Sequence, residues 1–202
     1  NGVGVDLYEV LMTIQEHPFL KDILGIQEHF WNMFVVDALL GNPDRNNSNW
    51  GIILGADGGK RIAPVYDNGN CLNCKWDDKK LAEVLSDERK LETESYKGRR
   101  CIFELKGKKI NPYHVMDSME YIGCNEAVER IVPVMGDSFF KIRRMIEEIP
   151  VLSEVQKTFY LTIMENRYNK VFLPLYRDII SGRKKHEAKV AQEKTERGRE
   201  NV

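Results

Sequence analysis

No sign of charge dominates this chain. Thirty Lys and Arg stand against 31 Asp and Glu, a formal net charge of −1. No overall basic field exists to draw a phosphate polymer, so direct nucleic-acid binding is not expected. Long hydrophobic runs are also missing. The longest, Phe34 to Leu40, is broken by Asp37, and a membrane helix needs about 20 apolar residues; no membrane association is expected. Cysteine is scarce: four in 202 residues make no disulfide framework. The first lysine is Lys21, so no charged segment precedes an apolar core as in a secretory signal. Together these absences point to a reducing, cytoplasmic setting. The chain opens with Asn1 rather than Met, which reads as a processed chain or an excised domain.

What is present is a helical protein of about one domain. Val5, Leu7, Tyr8, Val10, Leu11 and Ile14 recur at helical spacing, and Pro18 limits that helix. Gln27 to Leu40 is apolar all round, so a helix there is buried on most sides, with Gly41 placed to cap it. Residues 41–49, GNPDRNNSN, read as a loop. Trp50–Leu54 and Arg61–Tyr66 read as two strands joined at Asp57-Gly58, with Pro64 forcing an edge or an irregularity.

Further on, Leu81–Leu85 is a short helix and Glu92–Lys109 is polar and irregular. Helices are expected from Pro112, over Glu126–Met135 and over Phe139–Ile149. Ser153–Ile180 is the longest periodic stretch, with Pro174 expected to kink or break it. Residues 183–202 are almost wholly charged or small, a solvated helical extension or a disordered tail. The expected fold class is mainly α with a small β-hairpin.

One constellation carries chemistry. Asp44 and Asn49 lie five residues apart on the polar loop, and Asp67 follows the hairpin. A hairpin sends the chain out and back, so Asp67 can return beside the loop. Magnesium takes hard oxygen ligands, one or two from protein and the rest from phosphates and water. Asn49 and Asp67 fit as those ligands. Asp44 then remains to orient and deprotonate an attacking hydroxyl, as in a D-x-x-x-x-N catalytic loop.

The run FVVDALLGNPDRNNSNWGII, Phe34 to Ile53, followed by APVYDNG, Ala63 to Gly69, resembles the HipA-like serine/threonine kinases. These belong to the wider protein-kinase and phosphatidylinositol-kinase-like fold. The resemblance implies a helical C-terminal kinase lobe over residues 1–182. It implies Asp44 as catalytic base, Asn49 and Asp67 as Mg²⁺ ligands, and nucleotide contacts from Asn46, Asn49, Tyr66 and Asp67. ATP is the implied phosphate donor. The implied partners are a protein substrate and an antitoxin. Asn46 stands where that family usually has His. The N-terminal lobe that clamps ATP is not recognisable in the 43 residues before Asp44. Gly55 to Lys60 fails as a P-loop and reads as the hairpin turn. The chain alone is therefore expected to be inactive.

Two other readings stand beside a protein kinase: a lipid or small-molecule kinase of the same fold, and a kinase-derived binding module without turnover. Asp37, within the apolar helix, is expected to order the loop through its backbone amides. Cys71-Leu72-Asn73-Cys74 is a C-x-x-C without a second paired motif, so ordinary reduced cysteines are expected.

Overall fold

The structure, a computed structural model, describes residues 5–98 and 101–182. Helix α1, Leu7–Glu16, starts at Asp6, whose carboxylate accepts the free N–H groups of Tyr8 and Glu9. It ends at His17, just before Pro18. Helix α2, Ile26–Leu40, is the centre of the molecule. It buries Phe30, Trp31, Phe34 and Val35 among nine residues, so its apolar circumference is matched by neighbours on most sides. Each buried side chain of this size contributes about 1.5–3 kcal/mol.

Strands β1 (Ile52–Leu54) and β2 (Lys60–Ile62) pair antiparallel, Ile52 opposite Ile62. The returning strand is shorter than the expected Arg61–Tyr66. The last rung is Ala63 N–H to Gly51 O at 2.8 Å, and Pro64 has no N–H to continue the ladder. After a 3₁₀ turn at Cys71–Asn73 come α3 (Asp78–Leu85), α4 (Glu88–Glu92) and a π turn at Thr93–Lys97. Strands β3 (Glu104–Leu105) and β4 (Lys108–Lys109) form a second small ribbon, which docks beside the start of α1 through Glu104 N–H to Val5 O. Helices α5 (Pro112–Asp117), α6 (Ile122–Glu148) and α7 (Glu154–Arg167) complete the lobe. A reciprocal cap at α7 joins Ser153 and Gln156.

Four expectations need correction. The two helices expected over Glu126–Met135 and Phe139–Ile149 are one, α6, running through Pro133. Gly136 is no break; it leaves room for the Tyr168 hydroxyl against the helix. Of the kink or break expected at Pro174, the break does not occur. A π turn at Tyr168–Phe172 precedes it, and residues 173–182 continue helical; the wider turn accommodates the ring. The hairpin has a companion in β3–β4, too short to show alternation. The described residues within 92–109 are also less irregular than expected, carrying the π turn and this ribbon. The tail at 183–202 lies outside the described residues. All four cysteines are free thiols. Burial, then the Asp37 charge, pushes the Cys71 thiol up to about 12, and burial does the same to Cys124.

Helix α2 ends in the interior, where its last carbonyls lack water. Arg167, fully buried at the end of α7, donates to Leu39 O at 2.8 Å, and the Tyr113 hydroxyl donates to Ala38 O at 2.7 Å. Arg167 also donates to Ser95 O and Glu94 O in the π turn at Thr93–Lys97. A cation at a helix C-terminus is favourable, although burial pulls the Arg167 pKa below its ordinary value. The site-bearing loop thus leaves α2 from a fixed point. Gly41 marks that point, with φ of +64°, and a Cβ there would lie 2.7 Å from Arg167 Nη2. Gly41→Ala should therefore cost about 2 kcal/mol or more, from the left-handed backbone and the unyielding guanidinium. Thermal unfolding should show a drop of at least about 4 °C; an unchanged midpoint would contradict this packing account.

Candidate active site

The loop after α2 is built on Asp37. Its backbone carbonyl accepts Asn42 N–H, and its Oδ1 accepts Asn42 Nδ2 at 3.0 Å. Asn42 Oδ1 in turn accepts the Asp44 N–H at 3.0 Å. The main connection is Arg45, only 1% exposed. Its Nε and Nη2 donate to the two Asp37 oxygens at 2.7 and 3.0 Å. Nη1 donates to Asn49 O and Tyr66 O, each at 2.6 Å, and Nη2 donates again to Asn68 Oδ1 at 2.6 Å. All five guanidinium N–H groups are used. Burial alone lowers the Arg45 pKa, but the Asp37 hydrogen bond and charge more than reverse it, leaving it above the ordinary value.

This corrects the expectation for Asp37. It orders the loop chiefly through the Arg45 side chain, with the Asn42 amide and backbone helping, rather than through backbone amides alone. Arg45 itself was not singled out by the sequence reading. The available signal was an arginine immediately after the loop aspartate, with a carboxylate in an apolar helix eight residues earlier.

Arg45 brings two segments together: residues 42–49, and the stretch after β2 that carries Tyr66, Asp67 and Asn68. Asn49 is buried. Its Nδ2 donates to Asp44 O at 2.6 Å, which commits the nitrogen to the loop, while its Oδ1 takes a long 3.3 Å bond from Ser48 Oγ. Asp67 sits exposed in the left-handed region, φ 55°. Its neighbours on either side are held by Arg45, and its own carboxylate accepts no hydrogen bond among the described residues. Leu72 and Asn73 are also left-handed, so this segment is strained at several positions, a feature that clusters at functional sites.

Asp44 is half-buried. Its Oδ1 accepts Asn46 Nδ2 and its Oδ2 accepts Asn70 Nδ2, each at 3.0 Å. Asn46 is turned this way because its own oxygen accepts the Ser48 N–H at 2.9 Å. The Tyr66 hydroxyl donates to Ser48 O at 2.9 Å, bracing the same loop. A cavity of about 350 Å³ opens beside Asp44, lined by Pro43, Asn70, Asn73, Lys75 and Trp76. These bonds bring the loop carrying Asp44, Asn46 and Asn49 against the segment carrying Tyr66 and Asp67.

Its chemistry suits a magnesium ion. Arg45 is neutralised by Asp37, so Asp44 and Asp67 leave net negative charge even with Lys75 on the cavity wall. Asn49 Oδ1 and the Asp67 carboxylate are hard oxygens with lone pairs to give. Among the described residues no three His, Cys, Asp or Glu side chains are grouped to form an all-protein metal cage. Two such side chains would leave the rest of an ion's coordination to water and phosphates.

A mainly helical lobe with small antiparallel ribbons, carrying this loop pair beside its central helix, has the architecture of the C-terminal lobe of a kinase-like fold. The structure matches the crystal structure of a Helicobacter pylori proinflammatory kinase, CtkA. The TM-score is 0.81 at 32% identity, covering 90% of this chain and 63% of that one. In sequence the chain is 34% identical over 173 residues to the serine/threonine-protein kinase CtkA of H. pylori, 85% of this chain and 52% of the relative. The chain thus spans about half the length of the curated relative it matches. No protein-family model matches it. The likeness is to a kinase and does not single out the HipA-like branch. No helix among the described residues is long and apolar enough to cross a membrane.

Proposed function

We propose that this chain supplies the catalytic loop and metal ligands for ATP-dependent phosphoryl transfer to a Ser or Thr hydroxyl of a protein. The observation that carries the reading is the Arg45 fork, which ties the Asn49 loop to the Asp67 segment within one side chain's reach. Asp44 faces the cavity where an acceptor hydroxyl would enter, and it accepts that hydroxyl's proton. Asn49 and Asp67 would hold Mg²⁺, which when bound would offset the charge of the nucleotide phosphates. Asn46 and Tyr66 keep the loop in shape next to the nucleotide.

Asn46 in place of histidine does not argue for a lapsed site, because its amide holds the base. The HipA-like specialisation, and with it an antitoxin partner, rests on the motif resemblance between Phe34 and Gly69 alone.

Phosphoryl transfer depends almost wholly on positioning and electrostatics, and the phosphate-clamping elements of such kinases lie in a separate N-terminal lobe. The 202-residue chain should therefore bind Mg-ATP weakly and transfer little phosphate. The protein at its full natural length should bind Mg-ATP and label a protein acceptor on Ser or Thr. Calorimetry with Mg-ATP on both lengths and a labelled-phosphate assay test this. Tight Mg-ATP binding by the 202 residues alone would show that the nucleotide site is assigned wrongly, and transfer only to a lipid or small alcohol would replace the protein substrate.

A further inference from the structure

The Asp44 carboxylate is held by two amides from two different segments. Asn46 belongs to its own loop. Asn70 comes from beyond the hairpin, 26 positions away, and stands three residues after Asp67. Its Nδ2 lies 3.0 Å from Asp44 Oδ2. Only the N–H side of an amide can face a carboxylate at this distance. The Asn70 side chain also lines the cavity beside Asp44. It is therefore at the wall of the proposed acceptor cleft and on the base at once.

We infer that Asn70 is a positioning residue for phosphoryl transfer, orienting the Asp44 carboxylate toward the acceptor hydroxyl and linking it to the Asp67 segment. This rests on the kinase reading proposed above. A carboxylate on a short side chain turns about its last bond unless both oxygens are held. Asn46 fixes Oδ1, and Asn70 fixes Oδ2. Each oxygen retains a lone pair, so the clamp leaves Asp44 able to accept a proton. Because Asn70 and Asp67 share one short segment, a displacement at the metal ligand is carried to the base. The base is then held in its working direction only when the Asp67 segment is in place.

The test is steady-state kinetics on the full-length protein with Mg-ATP and a protein acceptor. Asn70→Ala should lower kcat about tenfold, the size of one lost hydrogen bond. KM for Mg-ATP should stay within about twofold, because Asn70 touches no metal ligand side chain, and the unfolding midpoint should barely move. Asn70→Asp should lower kcat further, to about a hundredth, because it sets a second carboxylate against Asp44. An unchanged kcat in Asn70→Ala overturns the proposal. So does a parallel fall in kcat, Mg-ATP affinity and unfolding temperature, which would make Asn70 merely structural. A crystal structure of Asn70→Ala supplies a readout independent of activity, in which the Asp44 carboxylate should be rotated. If the unaltered protein transfers no phosphate, the kinase reading fails, and the crystal structure still decides the clamp: an Asp44 carboxylate in its original place overturns it.

Discussion

Asp67→Asn and Asp44→Asn should both abolish useful turnover in the full-length protein, but for different reasons that one pair of measurements separates. Asp67 is exposed, and its carboxylate accepts no protein hydrogen bond among the described residues, so replacing it costs little stability. In the proposed site, Asn at this position keeps a neutral amide oxygen but removes the negative charge that attracts the ion. Mg-ATP binding should weaken, and higher Mg²⁺ should restore part of it. Asp44 holds no metal in this reading. Asp44→Asn should leave Mg-ATP binding intact while turnover falls by about 10²–10⁴, the usual contribution of a general base. Calorimetry and a labelled-phosphate assay on the two variants read these outcomes. Normal turnover in Asp67→Asn, or lost Mg-ATP binding in Asp44→Asn with Asp67 intact, would show that the roles are assigned wrongly.

The second large effect concerns Arg45. Arg45→Met should destabilise the chain by about 3–5 kcal/mol, because the buried Asp37 carboxylate loses its bidentate partner. Asn49 O, Tyr66 O and Asn68 Oδ1 lose a donor in the same step. For a domain of this size the unfolding midpoint should fall by roughly 10 °C. Arg45→Lys should rescue little, since one ammonium cannot reproduce a planar fork with five donors. The double variant Asp37→Leu, Arg45→Met should recover part of the stability, because no charge is left buried alone. It should not recover phosphate transfer, because the Arg45 donors no longer hold the Asn49 loop against the Asp67 segment and only the Tyr66–Ser48 and Asn70–Asp44 bonds still join them. Thermal unfolding with the transfer assay distinguishes the two. Full activity in the double variant would mean that the fork serves stability only.

Much of the site was legible because its signals are local. Asp44, Asn49, the hairpin and Asp67 follow one another within a few dozen residues, and each turn residue announces its own geometry. Gly41 could be read as the cap of α2 because a left-handed residue after an apolar helix has one common purpose. The hydrogen bond between Asp44 and Asn70 was not legible. Asparagines fill this region, and no spacing rule says which of them meets which carboxylate. Asn46, Asn47, Asn49, Asn68, Asn70 and Asn73 are alike until the chain is folded.

By itself the sequence determined the helical class, the buried α2 and the polar loop with its hard-oxygen side chains. Each of those depends on periodicity or composition over a short window. Tertiary structure alone decided what holds the loop in place. Arg45 reaches partners 4 to 23 positions away, and Arg167 caps a helix 128 positions before it. The continuity of α6 through Pro133 was decided in the same way, by packing against α2 and Tyr168 rather than by propensity. A buried arginine has five donors and no local rule for where they go. Only the folded chain, by excluding water from every alternative, determines which acceptors they find.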